Sequence, residues 1–232
     1  MNQKIIGLIG GMSWESSLEY YRIINRRVRE RLGGVSSARC LMWSFDFAEI
    51  EALQHAGDWD GATRKMIEAA RRLERGGASF LVICTNTMHK MADEVQRAVG
   101  IPLLHIADPT AQRIKEAGLR RVGLLGTAFT MEQDFYKGRL QREHGLQVLT
   151  PDAQGRQTVH RIIYEELVQG RAEPASREAY RQVMRELAAQ GAEAIILGCT
   201  EIMLLVGQQD SPVPVFDTTT LHAVAAADLA LD

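Results

Sequence analysis

Two short apolar runs in this chain end in residues that can carry protons. Phe80-Leu81-Val82-Ile83 leads into Cys84-Thr85-Asn86-Thr87, and Ala194-Ile195-Ile196-Leu197 leads into Gly198-Cys199-Thr200-Glu201. An apolar run closed by small hydrogen-bonding residues reads as a buried parallel strand that delivers side chains to its carboxyl end, where open α/β sheets hold their ligands. With one such ending in each half of the chain, two acid/base groups could face one substrate. That arrangement suits removal of a proton from one side of a carbon and its return on the other. The carbon next to a carboxylate is a very weak acid, so its base must be close, oriented and out of water. A thiolate fits, being polarizable and thinly hydrated, with a pKa near ~8.5 that falls beside local donors. Asn86, Thr87 and Thr200 supply an amide and hydroxyls that, with backbone N–H groups, would hold a carboxylate and the charge developing on it. An inert buried thiol is the other reading of Cys199. Its place at a strand end, between Gly198 and Thr200-Glu201, favours chemistry.

These endings need a scaffold, and the sequence alternates as one. Strands are expected at residues 5–9, 40–45, 80–83 and 103–106, with helices over 16–32, 58–75, 88–99 and 110–117. The second half restarts with a strand at 121–125. Helices follow over 131–144, 158–169, 176–190 and 221–231, with further strands at 147–149, 194–197 and 215–216. Strands separated by helical stretches imply βαβ units, hence an α/β fold of doubly wound parallel sheets. The halves also rhyme: Ile6-Gly7-Leu8-Ile9-Gly10 matches Val122-Gly123-Leu124-Leu125-Gly126, and the interval from Gly10 to Thr85 is close to that from Gly126 to Cys199. The expectation is two similar domains, residues 1–108 with 215–232 and residues 109–214, related by a pseudo-twofold axis. Thr85 and Cys199 would then meet across an interdomain cleft, a favoured place for small ligands.

Composition narrows the partners. The 232 residues are 46% hydrophobic and 24% charged with a net charge of −2, which argues against a nucleic-acid protein. Three widely spaced cysteines fit free thiols in a reducing compartment, so the chain reads as cytoplasmic. No apolar run approaches the ~20 residues of a membrane span. Cys84 and His89 lack a second Cys/His pair, so no metal is expected. Gly7, Gly10 and Gly11 lack the spacing of a nucleotide loop, and Ser13 lacks a hydrolase elbow. The basic stretch 22–31 carries apolar residues at helical spacing and reads as a solvated amphipathic face.

Together Gly7-Leu-Ile-Gly-Gly-Met-Ser-Trp14, Cys84-Thr-Asn-Thr-Met-His89, Ile106-Ala-Asp108, Leu124-Leu-Gly-Thr127 and Gly198-Cys-Thr-Glu201 resemble the aspartate/glutamate racemase superfamily. The motifs run in order along nearly the whole chain. The resemblance implies two α/β domains, cofactor-independent chemistry, an amino-acid substrate and a homodimer. It makes Thr85 and Cys199 the catalytic pair, with Met12, Ser13, Asn86, Thr87, Thr127 and Thr200 on the substrate; Gln54, by its own chemistry, could contact a neutral or polar substrate side chain. The Cys-Thr-Glu ending looks like the aspartate-racemase branch; glutamate racemases usually have Cys-Thr-His.

Two departures matter. The family's first motif is Cys-Asn-Thr, whereas here Thr85 precedes Asn86 and the cysteine sits one place earlier. Neighbours at a strand end diverge, so Cys84 is expected to point away. Threonine in that place resembles the L-aspartate/glutamate-specific or broad-specificity racemases and implies a kinetic bias toward the L substrate, since an alcohol is a poor base. The arginine and lysine that two-cysteine aspartate racemases direct at the substrate side chain are also missing, from residues 44–54 and at Val168 respectively. Neutral substrates such as homoserine therefore join the acidic ones. Relatives with one cysteine include decarboxylases and cis–trans isomerases, and a cleft that binds amino acids without turnover is the third reading.

Overall fold

The apolar runs form the middle of two parallel sheets, each in its own unit. The computed structural model describes residues 3–232. One unit comprises the chain up to Ile106 together with His222–Asp232; the other is Ala107–Leu221. In the first, β1 (Ile6–Gly10), α1 (Trp14–Leu32), β2 (Cys40–Ser44), α2 (Phe47–Ala56), α3 (Trp59–Arg75) and β3 (Phe80–Ile83) are followed by a 3-10 helix (Thr87–Met91), α4 (Ala92–Arg97) and β4 (Leu103–Leu104). The sheet order is β2-β1-β3-β4, all parallel. In the second, α5 (Ala107–Glu116), β5 (Arg121–Gly126), α6 (Ala128–Glu132), α7 (Asp134–Arg142) and β6 (Gln147–Leu149) precede α8 (Ala153–Glu165), α9 (Pro174–Ala189), β7 (Ala194–Gly198), β8 (Val215–Asp217) and α10 (Thr218–Leu231). Its order, β6-β5-β7-β8, repeats the first sheet strand for strand.

The sequence accounts for the central strands. Every residue of β1, β3 and β7 is buried, as expected for parallel strands covered by helices on both faces. The core of the first unit gathers Ile9, Ile50, Met66, Leu73, Leu81 and Ile83; that of the second gathers Leu125, Val159, Ile162, Tyr180, Leu187, Ile195 and Leu197. Gly11 turns the chain out of β1 with φ +80, and a Cβ there would fall on the backbone N and O of Phe45, so only glycine fits.

The structure departs from the sequence expectation in four places. Residues 47–56, given no element from the sequence, form α2, capped by the Asp46 carboxylate on the Ala48 N–H at one end and by Gly57 at φ 69 on the other. The expected helix 88–99 is a 3-10 helix followed by α4, and the expected helix 131–144 breaks at Gln133, which has extended backbone. Residues 215–221, assigned from the sequence to the first domain, lie in the second unit. The reason is β8, which pairs with β7 through Ile195↔Val215 to Leu197↔Asp217.

Candidate active site

In each sheet two adjacent central strands lead away in opposite directions, β1 to β2 and β3 to β4, and likewise β5 to β6 and β7 to β8. A crevice opens at the carboxyl ends of strands at such a switch point. The expected site residues sit at these two corners.

In the first unit, β1 and β3 run side by side through Ile9↔Ile83, so the turn carrying Met12 and Ser13 neighbours the Cys84–Thr87 segment. Both turn residues are buried. The Ser17 hydroxyl accepts from the Gly11 N–H at 2.8 Å and donates to the Ser13 carbonyl at 2.9 Å. The Ser16 hydroxyl donates to the same carbonyl at 3.2 Å. The turn is thereby held by side chains of α1. Gln54 is buried in the last turn of α2, with Nε2 3.2 Å from the Met88 sulfur, which sets it against the 3-10 helix that begins at Thr87. Asn86 and Thr87 are buried, and Thr85 retains 8% exposure. Cys84 is fully buried, its Sγ 3.9 Å from the Val82 carbonyl, and burial drives its thiol far above the ordinary range.

In the second unit, β5 and β7 are in register at Gly126↔Gly198, so Thr127 and Cys199 each stand one residue beyond paired glycines. Thr127 caps α6, its hydroxyl accepting from the Thr130 N–H at 3.3 Å. The adjoining Ala128 N–H donates to His160 Nδ1 at 3.1 Å. Cys199 is 7% exposed. Its thiol donates to the Glu201 carboxylate at 3.0 Å, and the Thr200 hydroxyl donates to the same oxygen, also at 3.0 Å. The first turn of α10 props this corner: the Thr218 hydroxyl donates to the Leu197 carbonyl at 2.8 Å and the Thr219 hydroxyl to the Thr200 carbonyl at 3.3 Å.

The electrostatics at Cys199 are opposed. Burial raises the thiol pKa well above its usual value, and the Glu201 charge and hydrogen bond add to that; the Glu201 and Thr200 backbone N–H groups pull the other way. The sulfur therefore carries its proton at neutral pH, with an acceptor for that proton already in contact and backbone donors waiting for the thiolate. Glu201 is a candidate site residue that sequence reasoning passed over. Its signal was present: a carboxylate two places after a strand-end cysteine, where the chain enters a tight helical turn (Ile202–Leu204). Among the described residues, no group of three or more His, Cys, Asp or Glu side chains could hold a metal ion, and no helix is long and apolar enough to cross a membrane.

The sequence pattern of the Asp/Glu/Hydantoin racemase family matches residues 9–226. The chain belongs to that family. Among its relatives, the broad-specificity amino-acid racemase RacX of Bacillus subtilis (strain 168) is 27% identical over 166 residues, 72% of this chain and 71% of RacX. A candidate Asp/Glu racemase from Yersinia pestis superposes with a TM-score of 0.91 at 57% identity, covering 99% of this chain and 100% of the other. An aspartate racemase homologue from Pyrococcus horikoshii OT3 gives 0.84 at 36% identity, covering 100% of both chains. The racemase family and the two-domain α/β fold expected from the motifs are thus those of the chain.

Proposed function

We propose that this racemase interconverts L- and D-amino acids without a cofactor, using Cys199 and Thr85 on opposite faces of the substrate Cα. The observation that carries the reading is the thiol–carboxylate contact at Cys199. Glu201 takes the thiol proton, the thiolate removes the α-proton, and the Thr85 hydroxyl donates to the other face of the carbanion and is then reprotonated by water. Thr127, Asn86, Thr87 and Thr200 hold the substrate carboxylate, with the Met12-Ser13 turn closing over it. RacX, by its name, acts on a broad range of amino acids. Segment 44–54 carries neither Arg nor Lys, and Gln54 is a buried neutral amide. Both support acceptance of neutral polar substrates such as homoserine alongside aspartate and glutamate. The enantiomers are equal in free energy, so a bias toward L shows in kcat and KM separately, never in their ratio.

A second copy of this chain is the partner, docked on the first turns of α1 beside the edge strand β2. Trp14, Leu18 and Tyr21 lie at helical spacing and are 64%, 54% and 49% exposed, with Met42 of β2 at 40%, an apolar face that a lone chain would leave wet. Helix α1 is acidic early (Glu15, Glu19) and basic late (Arg22, Arg26, Arg29), so two copies packed antiparallel are charge-complementary.

The deciding experiment incubates L-aspartate, L-glutamate and L-homoserine in heavy water with the wild type and with Cys199→Ser. Deuterium should enter Cα without carbon dioxide release, and the serine variant should lose it. Undiminished incorporation by that variant removes Cys199 from the reaction; carbon dioxide release marks a decarboxylase.

A further inference from the structure

We infer that His89 is a positioning residue for Thr85, acting through the Thr85 carbonyl. The inference rests on the reading of Thr85 as the second acid/base group. His89 lies on the 3-10 helix that follows Thr85 and is buried. Its Nε2 receives the Ile106 N–H at 3.1 Å. A backbone amide can only donate, so Nε2 bears no proton and the ring proton sits on Nδ1. That N–H donates to the Thr85 carbonyl at 2.8 Å. The tautomer is therefore set by the fold, and the neutral ring is a rigid bridge from Ile106 to the peptide that carries the proposed acid.

The far side of the bridge is anchored in the same way. His222 Nε2 lies 2.9 Å from the Leu104 carbonyl, which can only accept, so its other nitrogen, Nδ1, accepts from the Tyr20 hydroxyl at 2.8 Å. Leu104 and Ile106 flank a single residue, His105, whose ring lies 4.5 Å from that of His89. Helix α1, helix α10 and the end of β4 are thus linked to Thr85 through two histidines of fixed tautomer. β3 ends at Ile83, so sheet pairing no longer fixes the backbone at Thr85. A small error in the reach of its hydroxyl costs heavily in rate.

Substitutions at His89 separate its two bonds. His89→Asn keeps an N–H near the Nδ1 position and loses the bond to Ile106. His89→Gln keeps an acceptor near the Nε2 position and loses the bond to Thr85. The readout is α-deuteration of L-aspartate, L-glutamate and L-homoserine in heavy water, scored as label incorporated with retention against label incorporated with inversion. A misplaced Thr85 leaves Cys199 to return solvent deuterium to the face it came from, so retention gains. Thr85→Val and His89→Gln should each raise the retention-to-inversion ratio about tenfold or more, while His89→Asn stays within about threefold of the wild type. Total exchange, which Cys199 performs, should stay within about threefold in both His89 variants, confirming a folded site. A wild-type ratio in His89→Gln beside a raised one in Thr85→Val overturns the role of His89. A wild-type ratio in Thr85→Val instead overturns the reading of Thr85. Loss of total exchange in His89→Gln shows a wider structural duty and also overturns the inference.

Discussion

The Cys199 thiol donates to the Glu201 carboxylate at 3.0 Å, across a separation of two residues at the end of β7. This contact gives a buried sulfur a route to the thiolate. Burial alone would hold the proton on sulfur, as it does at Cys84, whose Sγ approaches only the Val82 carbonyl. A carbonyl cannot take up a proton at neutral pH; a carboxylate can. The two strand-end thiols differ in that partner: a carbonyl at Cys84 and a carboxylate at Cys199.

Glu201→Gln removes the proton acceptor and the negative charge together. Because that charge and its hydrogen bond both raise the Cys199 pKa, the variant thiol should titrate at lower pH, read from the pH dependence of alkylation by iodoacetamide. Turnover should nevertheless fall by roughly 10²–10⁴, the usual contribution of a general base. A faster-alkylating enzyme with lower turnover is the expected combination, and a higher alkylation midpoint would contradict the assigned contact.

The strand at 80–83 was legible to the residue, because a buried parallel strand is an uninterrupted apolar run between turn signals. Thr85 and Cys199 were legible as strand-end residues, and Cys84 as the thiol turned inward. Helix α2 was not, because its pattern is weak: only Ile50 and Gln54 of its ten residues are buried, and one of those is polar. The membership of residues 215–221 was hidden for another reason. A three-residue strand carries no local mark of which sheet it will join, and β8 is placed by its pairing with β7. Glu201 was visible in the motif, but its aim back at the sulfur depends on the tight turn after Thr200, which propensity does not specify.

The segment following the Cys199 corner is tied down by Asp210, whose buried carboxylate receives Arg177 at 2.8 and 2.9 Å, Arg181 Nε at 2.7 Å and the Gly207 N–H at 3.0 Å. The arginines hold its pKa far below the usual carboxylate range. A lowered folded-state pKa gives stability that is fully present above the unfolded value of ~3.9 and is lost as pH falls toward the folded one. Asp210→Asn should cost about 3 kcal/mol at pH 7, the low end for breaking a buried pair, since both arginines remain half in water. The gap in melting temperature between variant and wild type should narrow between pH 7 and pH 3; a constant gap would show that the carboxylate charge is not what stabilises the segment.

Leu18→Glu places a carboxylate in the middle of the exposed α1 face. Sedimentation equilibrium should report a dimer for the wild type and a monomer for the variant, with the far-UV spectrum unchanged because Leu18 is 54% exposed. A monomeric wild type, or a variant that remains dimeric, removes this face from the proposed contact.

On the proposed mechanism, Thr85→Cys puts a thiol on both faces of the substrate carbon. A thiol is several orders of magnitude more acidic than an alcohol, so proton return to the second face should quicken and Cys199 should less often reprotonate the face it has just stripped. Enantiomers of equal free energy force kcat/KM to be the same in both directions for any variant, so the informative quantity is the partition of each carbanion between inversion and retention. That partition should shift toward inversion by about tenfold, with kcat from the D substrate rising because its α-proton now meets a thiolate. The neighbouring Cys84 does not confuse the result, since it is fully buried and its thiol is held protonated. An unaltered partition in a folded Thr85→Cys enzyme would mean that the opposing proton comes from elsewhere at this corner, and the Met12-Ser13 turn beside β3 would be the next place to substitute.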